Sequence, residues 1–283
     1  MPLSPNLRGI LLMTLSMALF AVEDLFLKLS AQSLPTGEIL LLTTALGLLF
    51  FGGLTKARRQ SLTKGLWHPA VVARNAGEMV GTFAYMTALA SVPLATVSSV
   101  LQALPLAVTL GAALFFGQRV APWRWFAIAA GFAGVLLVIR PGLEGFRPAA
   151  AWVLVTVAGL ALRDLASRNI PKDISTEQVS AWGVGSVLVL SLGMLPFQDF
   201  VTPDLAQTAS LLAAFVFGTG GYWAVIEATR SGDVARIAPF RYSRLLFALV
   251  IGAVFFAETP DLVTLLGAGL IVASGILTLI LRR

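Results

Sequence analysis

Apolar runs of about 20 residues recur along the whole chain, separated by short polar gaps, and within each run the apolar residues are continuous rather than alternating at period two. A bilayer core about 30 Å thick takes roughly 20 apolar residues per helix. Without water to satisfy backbone groups, only helices and closed barrels cross such a core, and barrel strands would alternate. The pattern therefore predicts an all-α polytopic membrane protein of ten transmembrane helices, at about 7–30, 36–55, 70–91, 94–117, 122–140, 149–168, 176–196, 207–229, 233–257 and 261–281. The first run carries Glu23, Asp24 and Lys28 in its second half, unlike the short uninterrupted core of a signal peptide, and reads as a retained first helix.

Composition agrees: 57% of the 283 residues are hydrophobic and 12% charged, against roughly 25% charged in a soluble domain. There is no cysteine, which excludes disulfide and thiolate chemistry. The net charge of +6 does not point to nucleic acid, because the basic residues sit mainly in short loops beside the spans. With the N-terminus in the cytoplasm, Arg8, Lys56, Arg58, Arg59, Lys64, Arg119, Arg124, Arg168, Lys172, Arg230, Arg282 and Arg283 fall at the inner face, and only Arg140 and Arg147 outside. This asymmetry predicts a multi-pass protein of the cell inner membrane with both termini cytoplasmic.

Sliding the sequence along itself by 140 residues superposes Glu23-Asp24-Leu25 on Arg163-Asp164-Leu165, Lys28 on Arg168, Gly81 on Gly221, and Phe115-Phe116-Gly117-Gln118 on Phe255-Phe256-Ala257-Glu258. Two related halves follow, residues 1–140 and 141–283, with five spans each. An odd number of spans makes the second half enter the membrane from the opposite side, so the repeats are inverted. Such repeats are a recurrent transporter design, with the substrate site near the midplane and alternating access as the mechanism.

Ionisable residues inside spans cost on the order of 2.5–3.5 kcal/mol each on insertion scales, and they face protein or water. This chain places Glu23, Asp24, Lys28, Arg74, Glu78, Arg163, Asp164, Glu227, Arg236, Arg241 and Arg244 there. Asp24 with Lys28, and Asp164 with Arg168, stand at i,i+4, the spacing of an intrahelical bridge. Glu23 and Arg163 are left over at equivalent positions with opposite signs, and are expected to line the cavity and approach each other across the pseudo-two-fold axis. In the third span Arg74, Glu78, Gly81 and Tyr85 form one stripe, either a packed ion pair or a cavity wall with a protonatable carboxylate; Gly77 and Gly81 invite close helix approach. The ninth span holds Arg241, Tyr242 and Arg244 beside Pro239, which is expected to kink it; an arginine there could grip an anionic group bidentately. Trp182, Tyr222, Trp223 and Tyr242 could stack on a substrate or anchor helix ends. The single histidine, His68, lies in a basic loop, and no metal-ligand cluster, phosphate loop or nucleophile–base set is found, so neither an enzyme nor a metal or other cofactor is expected.

The run Ala84-Tyr85-Met86-Thr87-Ala88-Leu89-Ala90-Ser91-Val92-Pro93-Leu94-Ala95, continuing through Leu104-Pro105-Leu106 to Phe116-Gly117-Gln118 and Gly131 to Gly134, resembles the EamA-type repeat of the drug/metabolite transporter superfamily. The second half repeats it, and the resemblance implies ten helices with both termini cytoplasmic. Two departures stand out: Gln118 where that pattern usually has the glutamate kept at Glu258, and Arg244-Leu245 in place of the Leu104-Pro105 step. Residues 239–244 look like the branch that includes S-adenosylmethionine and riboflavin carriers.

The sequence thus predicts a secondary transporter for a small organic metabolite, an amino acid or amino-acid derivative first, held among the first, third, fourth, sixth, eighth and ninth spans. Its expected substrate-binding residues are Glu23, Asp24, Arg74, Glu78, Tyr85, Arg163, Asp164, Tyr222, Arg241, Tyr242 and Arg244. Glu23, Asp24, Glu78 and Glu227 are its expected proton-coupling residues. A carrier of S-adenosylmethionine, riboflavin or a similar larger metabolite is the alternative, and a channel or lipid flippase the alternative from another class. The partners expected are a small-molecule substrate and the lipid bilayer; a monomer suffices for this reading.

Overall fold

A computed structural model describes residues 4–118, 121–141, 147–231 and 233–280, and every regular element in them is helical. Arg119, Arg282 and Arg283, counted above toward orientation, lie outside the described residues. The first half contains α1 (Pro5–Ser30), α2 (Thr36–Ala57), α3 (Pro69–Ser91), α4 (Leu94–Leu101), α5 (Leu104–Phe116) and α6 (Pro122–Ile139). The second contains α7 (Ala151–Ser167), α8 (Thr176–Met194), α9 (Leu205–Ser231), α10 (Val234–Ile237), α11 (Ser243–Phe256) and α12 (Leu262–Ile280). Local chemistry sets these limits. Pro5, Pro69 and Pro122 occupy first-turn positions where a missing N–H costs nothing. Ser175 and Gln178 cap α8 reciprocally, and Asp204 and Gln207 do the same ahead of α9. Gly117 and Ala257, equivalent in the two halves, both end their helices at positive φ, 60° and 51°.

Nine stretches among the described residues are long and apolar enough to cross a membrane. The tenth spanning helix is α3, whose 23 residues suffice in length but whose hydropathy is lowered by Arg74, Asn75 and Glu78.

The fourth and ninth spans, expected as single helices over 94–117 and 233–257, are broken. Residues 102 and 103 form a turn between α4 and α5, and a 3₁₀ segment from Ala238 to Tyr242 separates α10 from α11. Pro105 cannot donate to the Leu101 carbonyl, and Pro239 removes a donor in the second half, so both helices tighten and turn instead of continuing. Gln102 and Tyr242 occupy equivalent positions, and the Gln102 amide donates to the Tyr242 carbonyl at 3.2 Å. The pseudo-two-fold axis therefore passes between the two breaks.

The halves interlock. Helix α1 packs along α9, α3 along α7, α2 along α8 and α6 along α12. Exchanging the halves maps the first of these pairs onto the second and leaves the other two unchanged. Close backbone approach marks the seams. A Cβ on Gly159 would lie 2.6 Å from the Gly81 nitrogen, and one on Gly77 would lie 2.6 Å from the Gly159 carbonyl oxygen; Gly134 and Gly267 face each other in the same way. The Gly77 and Gly81 pair thus receives α7. Gly159→Leu is expected to destabilise the purified protein by about 1–3 kcal/mol in a thermal or denaturant titration, since backbone must move, while Gly193→Ala, inside α8 with nothing within 4 Å, does not lower stability.

Candidate functional site

Because α1 and α3 each pack chiefly on helices of the other half, their polar residues meet partners across the seam. Asp24 is 1% exposed and receives three hydrogen bonds from Arg244 at the start of α11, at 2.7, 2.9 and 3.2 Å. The Tyr85 hydroxyl of α3 donates to the same carboxylate and lies 3.2 Å from the Arg244 Nη2. The guanidinium sits over the Phe20 ring, 5.4 Å from its centroid. Arg244 takes the place of Leu104 in the repeat, at the first turn after the break. The unwound segment therefore presents this arginine to the interior.

A second constellation lies between α3 and α7. Glu78 bonds Arg74 at 3.1 Å, one turn back on its own helix, and Arg163 at 3.4 Å across the seam, while Arg163 also bonds Asp164 at 2.9 Å. Thr82 donates to Glu78 at 3.4 Å. The Tyr222 hydroxyl pairs with Ser180 at 3.2 Å, and its ring meets Phe51 edge-on.

The intrahelical bridges expected from i,i+4 spacing do not form. Asp24 turns to Arg244, Lys28 to Glu258 and Asp164 to its neighbour Arg163, and Arg168 is exposed with no ion pair among the described residues. Nor do Glu23 and Arg163 approach each other. Arg163 reaches Glu78, whereas Glu23 reaches Gly218, the residue that occupies the equivalent position of Glu78 in the second half. Each leftover charge thus faces the ninth- or third-helix position opposite it, not its own mate. Arg241 is exposed and without an ion pair among the described residues. Tyr242 is 6% exposed and buried against Gly275, with no hydrogen-bond partner for its hydroxyl. Glu227 is half-buried near the end of α9, with no ion pair among the described residues. Trp182 donates to the Leu62 carbonyl at 2.6 Å and holds a loop, and Trp223 is exposed on the outer face of α9.

The pairing of Lys28 with Glu258 was not foreseen. The Glu258 carboxylate accepts from Lys28 at 2.8 Å, from the Leu94 N–H at 2.9 Å and from the Ala95 N–H at 3.3 Å, so it caps α4 while holding α1. Lys28 also donates to the Val92 carbonyl at 2.7 Å. The signal was present in the repeat: Glu258 stands where the first half has Gln118. The latched end opens onto a vestibule of about 640 Å³ that also carries Arg140, Arg147 and Asp261. The hydrogen bond from Arg140, with one from the Thr264 N–H, holds the Asp261 carboxylate below the usual range.

Two segments of the chain, residues 7–140 and 147–280, each match the EamA-like transporter family. A riboflavin transporter of Rhizobium johnstonii is 27% identical over 70% of this chain and 65% of its own length, so the chain spans just under two thirds of that relative. A pseudopaline exporter of Pseudomonas aeruginosa is 26% identical over 94% of both chains, and an S-adenosylmethionine uptake transporter of Rickettsia felis is 26% identical over 68% of this chain and 65% of its own. A solved crystal structure shares the fold at a TM-score of 0.64 and 22% identity, covering 97% of this chain and 98% of that one.

Asp24→Asn leaves Arg244 without its counter-charge and is expected to cost about 3–5 kcal/mol in thermal or denaturant unfolding of the purified protein. The double variant Asp24→Asn with Arg244→Gln recovers part of that loss; additive single effects would show that the two side chains are not coupled.

Proposed function

The chain belongs to the EamA-like transporter family, and from that premise we propose that it is a secondary transporter carrying a small organic metabolite, an amino acid or amino-acid derivative, by alternating access. It is a multi-pass membrane protein, and its relatives are named as transporters of riboflavin, pseudopaline and S-adenosylmethionine. Those names differ in cargo, so the substrate is read from this chain's own residues. The observation that carries the reading is the set of ion pairs between the halves, Asp24 with Arg244 and Glu78 with Arg163, the first on a buried carboxylate and the second half-buried, where inverted repeats meet. Charges that costly in lipid stand where a polar solute would cross.

The substrate groups proposed are Glu23, Asp24, Arg74, Glu78, Tyr85, Arg163, Asp164 and Tyr222 with Arg244; Arg241 and Tyr242 would join only in another conformation, since one is exposed and the other sealed. Of the carboxylates proposed for proton coupling, Asp24 and Glu78 are engaged by arginines, whereas Glu23 and Glu227 have no ion pair among the described residues. The charge asymmetry of the loops supports placement in the inner membrane with both termini cytoplasmic. Residues 1–140 and 141–283 are the two repeats in this reading.

Under that orientation the Lys28 and Glu258 latch closes the extracytoplasmic end. Its counterpart at the cytoplasmic end is absent among the described residues, because Gln118 carries no charge and Arg168 is exposed. The two ends are therefore held by different contacts, Lys28 with Glu258 at one and Arg58 with Glu177 at the other.

Saturable counterflow of radiolabelled amino acids and amino-acid derivatives into preloaded proteoliposomes tests the transport reading; flux that never saturates would identify a channel instead. The latch has its own test in this cysteine-free chain. A Ser98→Cys reporter on α4, at a position 2% exposed, is expected to react about tenfold faster with a membrane-impermeant thiol reagent when Glu258→Gln is added. That corresponds to about 1.4 kcal/mol, near the lower end of what a hydrogen bond to a charged group contributes. An unchanged rate would mean that the ion pair does not hold that end shut.

A further inference from the structure

The interior charges do not balance. Around α3 and α7, Arg74 and Arg163 face Glu78 and Asp164, two cations against two carboxylates, all joined by ion pairs. Around α1, the single cation Arg244 faces two carboxylates, Asp24 and Glu23. Arg244 spends its hydrogen bonds on Asp24, at 2.7, 2.9 and 3.2 Å, and Glu23 has neither ion pair nor hydrogen bond among the described residues. Glu23 as a whole residue is half-buried.

The internal repeat says what stands there in the other half. Arg163 is equivalent to Glu23, and Glu78 to Gly218. Where Arg163 meets Glu78 across the seam, Glu23 meets Gly218, and a Cβ at 218 would run into the Glu23 carboxylate. Gly218 faces inward, on the side of α9 away from Leu212, Val216 and Trp223, which are 47, 62 and 59% exposed. At this one position the second half thus offers no side chain. The first seam is closed by an ion pair between the halves; at the second, the Glu23 carboxylate rests against the bare backbone of Gly218.

From this juxtaposition we infer that the unpaired Glu23 carboxylate, resting on the bare backbone of Gly218, forms a cation subsite, which takes an ammonium or similarly charged group of the cargo. The group supplies from outside the positive charge that Arg163 supplies to Glu78 from within the chain. An uncompensated carboxylate in a low-dielectric interior is costly, so a cargo cation is bound there in preference to a neutral or anionic group. The arginines, by contrast, are already neutralised by Asp24, Glu78 and Asp164, so this reading shifts the weight of recognition from the arginines to a carboxylate. Flanking it, Phe26 and Phe217 stack with centroids 5.8 Å apart and leave an apolar wall beside the charge.

This rests on the transport reading for its meaning, but its test needs no cargo. Gly218→Cys gives a single thiol in a chain that has no cysteine. In purified protein at neutral pH, a cationic methanethiosulfonate is expected to modify Cys at this position at least about tenfold faster than an anionic one, and adding Glu23→Gln should abolish the preference. Should Gly218→Cys fail to fold, Thr219→Cys, one residue along, carries the same comparison. No labelling by either reagent, equal rates, or a preference that survives Glu23→Gln would each overturn the subsite. Charge-selective labelling together with no counterflow of any solute would leave the subsite standing and sink the transport reading; counterflow with unselective labelling would do the reverse.

Discussion

A charge inside the bundle is costly without a partner, because lipid supplies none. That constraint explains how the two halves hold together. A helix can neutralise its own carboxylate from one turn away, as Arg74 does for Glu78, but most interior pairs here reach across the seam. Asp24 of α1 is bonded from α11, Glu78 of α3 from α7, and Lys28 of α1 from Glu258 beyond α11. Bridging the halves in this way does more than local pairing could. It fixes the depth of α1 and α3 against the opposite half, and it makes each pair sensitive to any relative motion of the two repeats.

The broken helices complete the arrangement. A continuous helix would have satisfied its own backbone and buried Arg244 on one face among others. The turn at residues 102 and 103 and the 3₁₀ segment ending at Tyr242 instead leave carbonyls in need of donors, and Gln102 supplies one at the axis itself. Irregular backbone at membrane depth is tolerated where it is enclosed by protein. Here it also aims Arg244 at Asp24, which a leucine at the equivalent position 104 cannot do.

Much of this was legible in the sequence, and the rest was hidden for definite reasons. Span limits followed from apolar length and from prolines and capping residues, so they agree within a few residues except at the two breaks. At the first break the apolar pattern continued through Gln102 and Ala103, and only Pro105 hinted at an interruption, whereas at the second Pro239 marked a kink in advance. The stripe of Arg74, Glu78, Gly81 and Tyr85 was readable because helix periodicity alone places it. Partners were not readable. Spacing pointed Asp24 to Lys28, yet a bidentate guanidinium from α11 competes better than an ammonium one turn away, and Lys28 had a carboxylate and a carbonyl to bind at the helix end. The offset of 140 residues contained the missing information, since it pairs Glu78 with Gly218 and Glu258 with Gln118, but only the packing of α1 on α9 and α3 on α7 shows that those positions face the leftover charges.

The places where the halves differ are therefore as informative as those where they agree. Four exchanges matter: Glu23 for Arg163, Gly218 for Glu78, Gln118 for Glu258, and Leu104 for Arg244. None disturbs the helix packing, which remains the same on exchange. Two identical halves would give two ends of equal energy and two equivalent seams. Because Gln118 cannot make the contacts of Glu258, the two ends are not equivalent, and in the proposed cycle a cargo offsets that difference. A ligand shifts such a balance only through unequal binding to the two states. A single carboxylate left unpaired on α1, the same helix that carries Lys28 five residues on, is well placed to feel both.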